Sequence, residues 1–211
     1  MHKPLLANRL GRWLVTHQGW YFFPTLLLEG VSLHADGVIR VLGRSKLKRR
    51  WVELAMLTVR LGGLVTLVLV VLPPGKGVAF LAVQLAVFGL YMGGSFAPNH
   101  IGMPLVPARL RLDFLRRQVL MSRNVSGGRP MSVLMGGLNY QVEHHLFPSM
   151  ARPHLRLVQP MVEAHCAEMG VPYTQTTLWQ SYVIVARYLN TVGLKGRDPF
   201  LCPLVAGRRA L

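Results

Sequence analysis

The run from Gly77 to Ala97 contains no charged side chain, and no other feature restricts the fold so tightly. As a helix rising about 1.5 Å per residue, it matches the roughly 30 Å hydrocarbon core of a bilayer. A second apolar run, from about Trp51 to Leu72, precedes it. This run carries Glu53 near one end, within reach of the interface, and Arg60 closer to mid-span, where a cation needs either snorkelling or a polar interior partner. Between the two lies Pro73-Pro74-Gly75-Lys76, whose residue types read as a tight turn. The expectation is an all-α integral membrane fold with one transmembrane helical hairpin over residues 51–97.

Composition agrees with that expectation and narrows the partners. Hydrophobic residues make up 51% of the 211, yet the formal net charge is +16. The two properties coexist when apolar residues face lipid and basic ones gather at one membrane surface. Nucleic acid is the other common partner of a basic chain, but no helix-turn-helix or RNA-binding signature accompanies the charge, so none is expected. Arg44, Lys46, Lys48, Arg49 and Arg50 precede the hairpin, and Arg109, Arg111, Arg116, Arg117, Arg123 and Arg129 follow it, whereas the turn holds Lys76 alone. The positive-inside rule then puts both flanks and both termini on the cytoplasmic side of the cell membrane.

Outside the hairpin the pattern is helical as well. Residues 1–50 read as a cytoplasmic and interfacial segment. Within it, Tyr21–Leu42 is apolar but broken by Pro24, Glu29, His34, Asp36 and Arg40, which suits an interfacial helix better than a third span. Residues 98–193 read as a cytoplasmic helical cap. Pro153 opens one helix there, with Leu155, Val158, Val162 and Met169 near helical spacing and Gly170 at its close. Thr177 is placed to cap the next, whose face is Leu178, Tyr182, Val185 and Leu189. Residues 194–211 lack any period and read as a loose tail. Cys166 and Cys202 stand in unrelated contexts, so neither a disulfide framework nor a zinc site is indicated, and Met1–Trp20 lacks the continuous apolar core of a cleavable signal peptide.

The chemistry centres on Gln141-Val142-Glu143-His144-His145. On a helix, positions i, i+3 and i+4 share a face, so Gln141, His144 and His145 would bring three nitrogen or oxygen donors together. Imidazole suits iron, copper, nickel or zinc, and spacing alone does not choose among them. An adjacent histidine pair is as often a solvated or core-satisfied pair as a ligand pair. The apolar, glycine-containing run Val133–Leu138 before it and Leu146-Phe147-Pro148 after it argue against a charged surface. His100, in Ala97-Pro98-Asn99-His100, sits at the cytoplasmic end of the uncharged span. A lone histidine there is usually a capping or interface residue, and only the company of the other motif makes it a candidate ligand. His34 reads as structural, and His154 and His165 as solvated.

As a set these motifs are specific. Gln141-Val142-Glu143-His144-His145 is similar to the third histidine box, QxxHH, of membrane-bound front-end and acyl-CoA fatty acid desaturases. Asn99-His100 resembles the further ligand that this family places after its fourth transmembrane helix. Asn139-Tyr140, Arg117-Gln118-Val119-Leu120, Ser122-Arg123-Asn124-Val125 and Gly170-Val171-Pro172-Tyr173 resemble the actinobacterial branch. The resemblance implies oxygen-dependent introduction of a double bond into a fatty acyl lipid or acyl-CoA by two irons, with electrons from a ferredoxin or cytochrome-type donor. By the same resemblance His100, His144 and His145 would be iron ligands and Gln141 a ligand or near-ligand.

One departure limits what the resemblance implies. The family's HxxxH and HxxHH boxes are absent from these 211 residues. Three histidines and a glutamine do not complete two iron sites, so the chain is expected to be a C-terminal portion, inactive alone and requiring an N-terminal half, which a separate chain could supply. A competing expectation from another class is a non-catalytic membrane-interaction protein or a partner subunit of a desaturase.

Overall fold

The computed structural model describes residues 9–43, 47–104 and 112–195. Arg44, Lys46, Arg109 and Arg111 of the basic flanks, and the tail beyond residue 195, lie outside the described residues. In chain order the elements are α1 (Arg9–Thr16), α2 (Gln18–Leu42), α3 (Arg50–Val71), α4 (Pro74–His100), α5 (Phe114–Leu120), β1 (Asn124–Val125), α6 (Gly128–Leu134), α7 (Gln141–Leu146), α8 (Arg152–Glu168), β2 (Gln175–Thr176) and α9 (Leu178–Lys195). The contacts divide the chain into two units, residues 23–94 and residues 1–22 with 95–211.

The unit of residues 23–94 holds most of α2, all of α3 and most of α4. Helices α3 and α4 are long and apolar enough to cross a membrane, with mean hydropathy of 2.3 and 1.7. Large apolar side chains stand outward on both, Val59 at 73%, Val70 at 79% and Val83 at 62% exposed. Such exposure is costly in water and free in a lipid solvent.

Only Leu72 and Pro73 separate α3 from α4, a shorter connection than the turn expected over 73–76. Pro74 begins the next helix, because a proline at the first helical position gives up an amide that has no intrahelical partner and arrives with its φ preset. The Gly77 amide donates to the Pro73 carbonyl at 2.9 Å, closing the first turn.

Helix α2 runs unbroken through Pro24. It meets α4 backbone to backbone: a Cβ on Gly30 would overlap the Leu85 carbonyl oxygen, and one on Gly89 would overlap the Gly30 amide. Small residues at the crossing permit this close backbone approach. His34 Nδ1 hydrogen-bonds the Gly30 carbonyl at 2.6 Å and its ring is set edge-on to Phe88.

The other unit is built around two apolar clusters. Val119, Val142, Val162, Cys166 and Val171 form one, and Val125, Met135 and Leu138 the other. Leu155, Val162 and Cys166 are the buried stripe of α8. Met169, expected on that stripe, is instead 45% exposed. The helix ends at Glu168, Gly170 turns the chain at φ +61°, and the Val171 amide returns to the Cys166 carbonyl at 2.8 Å, so Val171 takes the buried place. Thr177 caps α9 as expected and does so reciprocally, its Oγ1 accepting from the Gln180 amide and its own amide donating to Gln180 Oε1. A two-residue parallel ladder, Asn124 beside Gln175 and Val125 beside Thr176, joins the segment before α6 to the segment before α9.

Candidate metal centre

The site is assembled from the end of α4, the turn around residue 123 and the short helix α7. A helix end leaves its last carbonyls without amide partners. At α4 a buried arginine supplies them: Arg123, 1% exposed, donates through Nε to the Pro98 carbonyl at 2.8 Å and through Nη2 to the Pro98 and Ile101 carbonyls, while its own amide reaches Asn99 O at 3.0 Å. Burial pulls this guanidinium down to about 10, which leaves it charged at neutral pH and matched to the negative end of the helix dipole. Asn99, fully buried, donates through Nδ2 to Ser95 O and Leu138 O, each at 3.0 Å, and lies 3.5 Å from Gln141 Oε1. Through this amide the end of α4 is tied to the start of α7.

Helix α7 is six residues long, with Gln141, Val142 and Glu143 buried and the two histidines half-buried. Its second amide is satisfied by a side chain from another segment, Val142 N donating to Asn124 Oδ1 at 2.9 Å. The Glu143 carboxylate, with no exposed surface, accepts from Asn124 Nδ2 at 2.7 Å and from the Tyr173 hydroxyl at 2.7 Å. Asn124 also donates to the Tyr173 oxygen, which closes a three-residue ring. Desolvation, then the adjacent Glu143 charge, pushes the Tyr173 hydroxyl far above its ordinary range, so it stays a donor.

On the other face of α7 the predicted donors converge unevenly. The Gln141 amide donates from Nε2 to His145 Nε2 at 2.9 Å. The rings of His100 and His145 stack with centroids 5.1 Å apart and planes 25° from parallel, whereas His144 is tilted 56° from His145 at 6.3 Å. His100 also hydrogen-bonds the Met121 backbone. Desolvation and the neighbouring His100 and His144 hold His145 below its ordinary value, favouring the neutral imidazole that can ligate a metal. Nδ1 of His144 and Nδ1 of His145 are buried without a hydrogen-bond partner.

His145 lies against both Gln141 and His100, and His144 adjoins it, but among the described residues no group of three or more histidine, cysteine, aspartate or glutamate side chains gathers closely enough to hold an ion. His154 lies exposed at the start of α8 and His165 stands 3.8 Å from Glu168. The sequence pattern did not distinguish Glu143, Asn124, Tyr173 and Arg123 as a supporting frame. The available signal was a carboxylate inside an apolar stretch of a chain with only eight acidic residues.

Membrane-length apolar helices with histidines gathered at the end of one of them define a class, helical membrane-associated proteins carrying a histidine cluster. Within that class the match is to one family. The fatty acid desaturase family model matches residues 2–177, and the chain belongs to that family. It is 26% identical to Delta(8)-fatty-acid desaturase 2 of Arabidopsis thaliana over 93% of this chain and 44% of that protein. It is 28% identical to the acyl-lipid (9-3)-desaturase of Borago officinalis, again over 93% and 44%. Over 46% of this chain and 22% of the relative it is 35% identical to the Delta(5) fatty acid desaturase fat-4 of Caenorhabditis elegans. The chain thus spans less than half the length of these relatives. No solved structure matches.

Proposed function

We propose that these residues supply one side of the di-iron centre of an oxygen-dependent fatty acyl desaturase. His100, His144 and His145 would hold iron, and Gln141 would either bind it or orient His145. The observation that carries this reading is the stacking of the His100 and His145 rings, with Gln141 and His144 beside His145. Iron, when bound, would activate dioxygen, the oxidant that with two donor electrons takes two hydrogens from an unactivated acyl chain and leaves as water, chemistry that side-chain acids and bases cannot do. The chain's own residues fix geometry: Asn99 and Gln141 orient His145, Arg123 secures the helix end that carries His100, and the Glu143 ring holds α7 in place.

The substrate class is a fatty acyl lipid or acyl-CoA, in keeping with the names of the relatives, and a ferredoxin or cytochrome-type protein is the electron donor. The motifs around Arg123 and Tyr173 support the actinobacterial branch. Helices α3 and α4 form the membrane hairpin, with both basic flanks and the C-terminal helices on the cytoplasmic side of the cell membrane. The ligands of HxxxH and HxxHH type that these residues lack come from elsewhere, whether upstream in the same polypeptide or from another chain, and the 211 residues alone do not desaturate. The test is iron stoichiometry after anaerobic loading in detergent. Fewer than two irons per chain, lost on His144→Ala with His145→Ala, is the expected result; a full two irons would overturn the part-site reading.

A further inference from the structure

A pocket of about 400 Å³ lies between α6 and the start of α8, lined by Arg129, Arg152 and Arg156 around Val133, Tyr140 and Pro153. Among the described residues none of these arginines pairs with a carboxylate; the ion pairs found there are Arg116 with Asp113 and His165 with Glu168. The placement of two of them is unfavourable as it stands. Arg152 is the first residue of α8 and Arg156 follows one turn later, while the first turn holds no acid. Cations at the positive end of a helix dipole, next to a third cation, are destabilising. An anion in the pocket removes that cost.

The wall of the pocket is built to hold Arg152. Gly136 and Gly137 both adopt positive φ, and a Cβ on Gly137 would come within 2.9 Å of Arg152 Cβ. The guanidinium donates to the Gly136 carbonyl at 3.1 Å through Nη1. One of its five donors is used this way, and Arg152 is otherwise exposed. Beside the arginines the lining is apolar, and Val133 is 82% exposed.

We propose that this pocket binds a phosphate ester, the group either of a phospholipid headgroup or of a soluble phosphate-bearing carrier. Guanidinium forks match phosphate oxygens two at a time. Three cations answer a phosphate or diphosphate better than a singly charged carboxylate, and the apolar lining accepts the carbon that such an ester carries. None of the four candidate metal ligands enters the reasoning, so the site is tested without iron or activity.

The experiment uses the full chain in neutral detergent. Inorganic pyrophosphate is titrated by calorimetry, and vesicles of phosphatidylcholine with and without phosphatidylglycerol are compared by co-sedimentation. The variant is Arg129→Gln with Arg156→Gln, whose side chains hold no described structural bond, and the control is Arg117→Gln with Arg187→Gln, which removes the same charge elsewhere. The pocket variant is expected to lose about tenfold in affinity for at least one probe, and the control under about twofold. Loss with pyrophosphate alone assigns a soluble ester, loss with phosphatidylglycerol alone a lipid headgroup, and loss with both the shared phosphate chemistry. Should the double variant fail to fold, each single substitution is expected to lose about threefold. Binding of neither probe, or equal losses in variant and control, overturns the proposal.

Discussion

Glu143 is the residue on which the local frame depends. It is a carboxylate with no exposed surface in contact with two donors, Asn124 and Tyr173, that lie 19 and 30 residues away in sequence. Removing one donor leaves one buried carboxyl oxygen unpaired, so Tyr173→Phe is expected to cost about 1–3 kcal/mol and Asn124→Ala more, since Asn124 also caps the Val142 amide. Denaturant titration in a fixed detergent measures both. The same contact gives a pH dependence. Burial and Glu143 raise the Tyr173 hydroxyl above its ordinary value of 10.0 in the folded chain, so the unfolded chain ionises first. Its contribution is whole below that value and is lost as pH rises past it. Arg123, lowered to about 10, acts in the opposite sense over that range. The informative quantity is therefore the difference between wild type and Tyr173→Phe, which is expected to shrink above pH 10. The spacing of Gln141, His144 and His145 was legible because those donors lie within one helical turn. The frame behind them was not, because its partners meet only after the chain folds.

Among the elements, α2 and α4 depend on the absence of side chains at one crossing. Gly30→Ala places a methyl group against the Leu85 carbonyl, whereas Gly62 and Gly63 on α3 have nothing within 4 Å of an added Cβ. Gly30→Ala is expected to lower the melting temperature and expose the α2 region to protease. Gly62→Ala should be neutral or stabilising, by at most about 1 kcal/mol from helix propensity. The two long apolar helices and the helices after Pro153 and Thr177 were readable from length, hydropathy and capping chemistry, whereas the short helices α1, α5 and α6 were not. Exact ends were less legible. Pro74 fits a turn and a first helical position equally well, and the continuation of α4 to His100 depends on Arg123 from a later segment.

For the whole molecule the governing fact is a chain that is 51% hydrophobic and strongly basic, with its longest apolar helices exposed along their length. Alkaline carbonate washing is expected to leave it in the membrane fraction; release into the supernatant would show that α3 and α4 do not embed. The proposed topology has its own measurement. With Cys202 replaced by serine, and Cys166 already buried, a thiol reagent that cannot cross membranes should reach Gly75→Cys from the side opposite to Trp179→Cys. Labelling of both from one side would remove the hairpin. The two long apolar helices were legible from sequence alone because length and composition are local properties, whereas the division into two units depends on contacts that composition does not encode.

The hydrogen bond from Gln141 to His145 Nε2 also bears on how quickly the cluster can be filled. That lone pair is already occupied, so an ion approaching it must first displace an amide rather than a mobile solvent molecule. On the proposed reading, capture at this nitrogen would be a substitution in which Gln141 turns away from His145. An ion held there would have to be bound firmly enough by the surrounding imidazoles to keep the glutamine displaced.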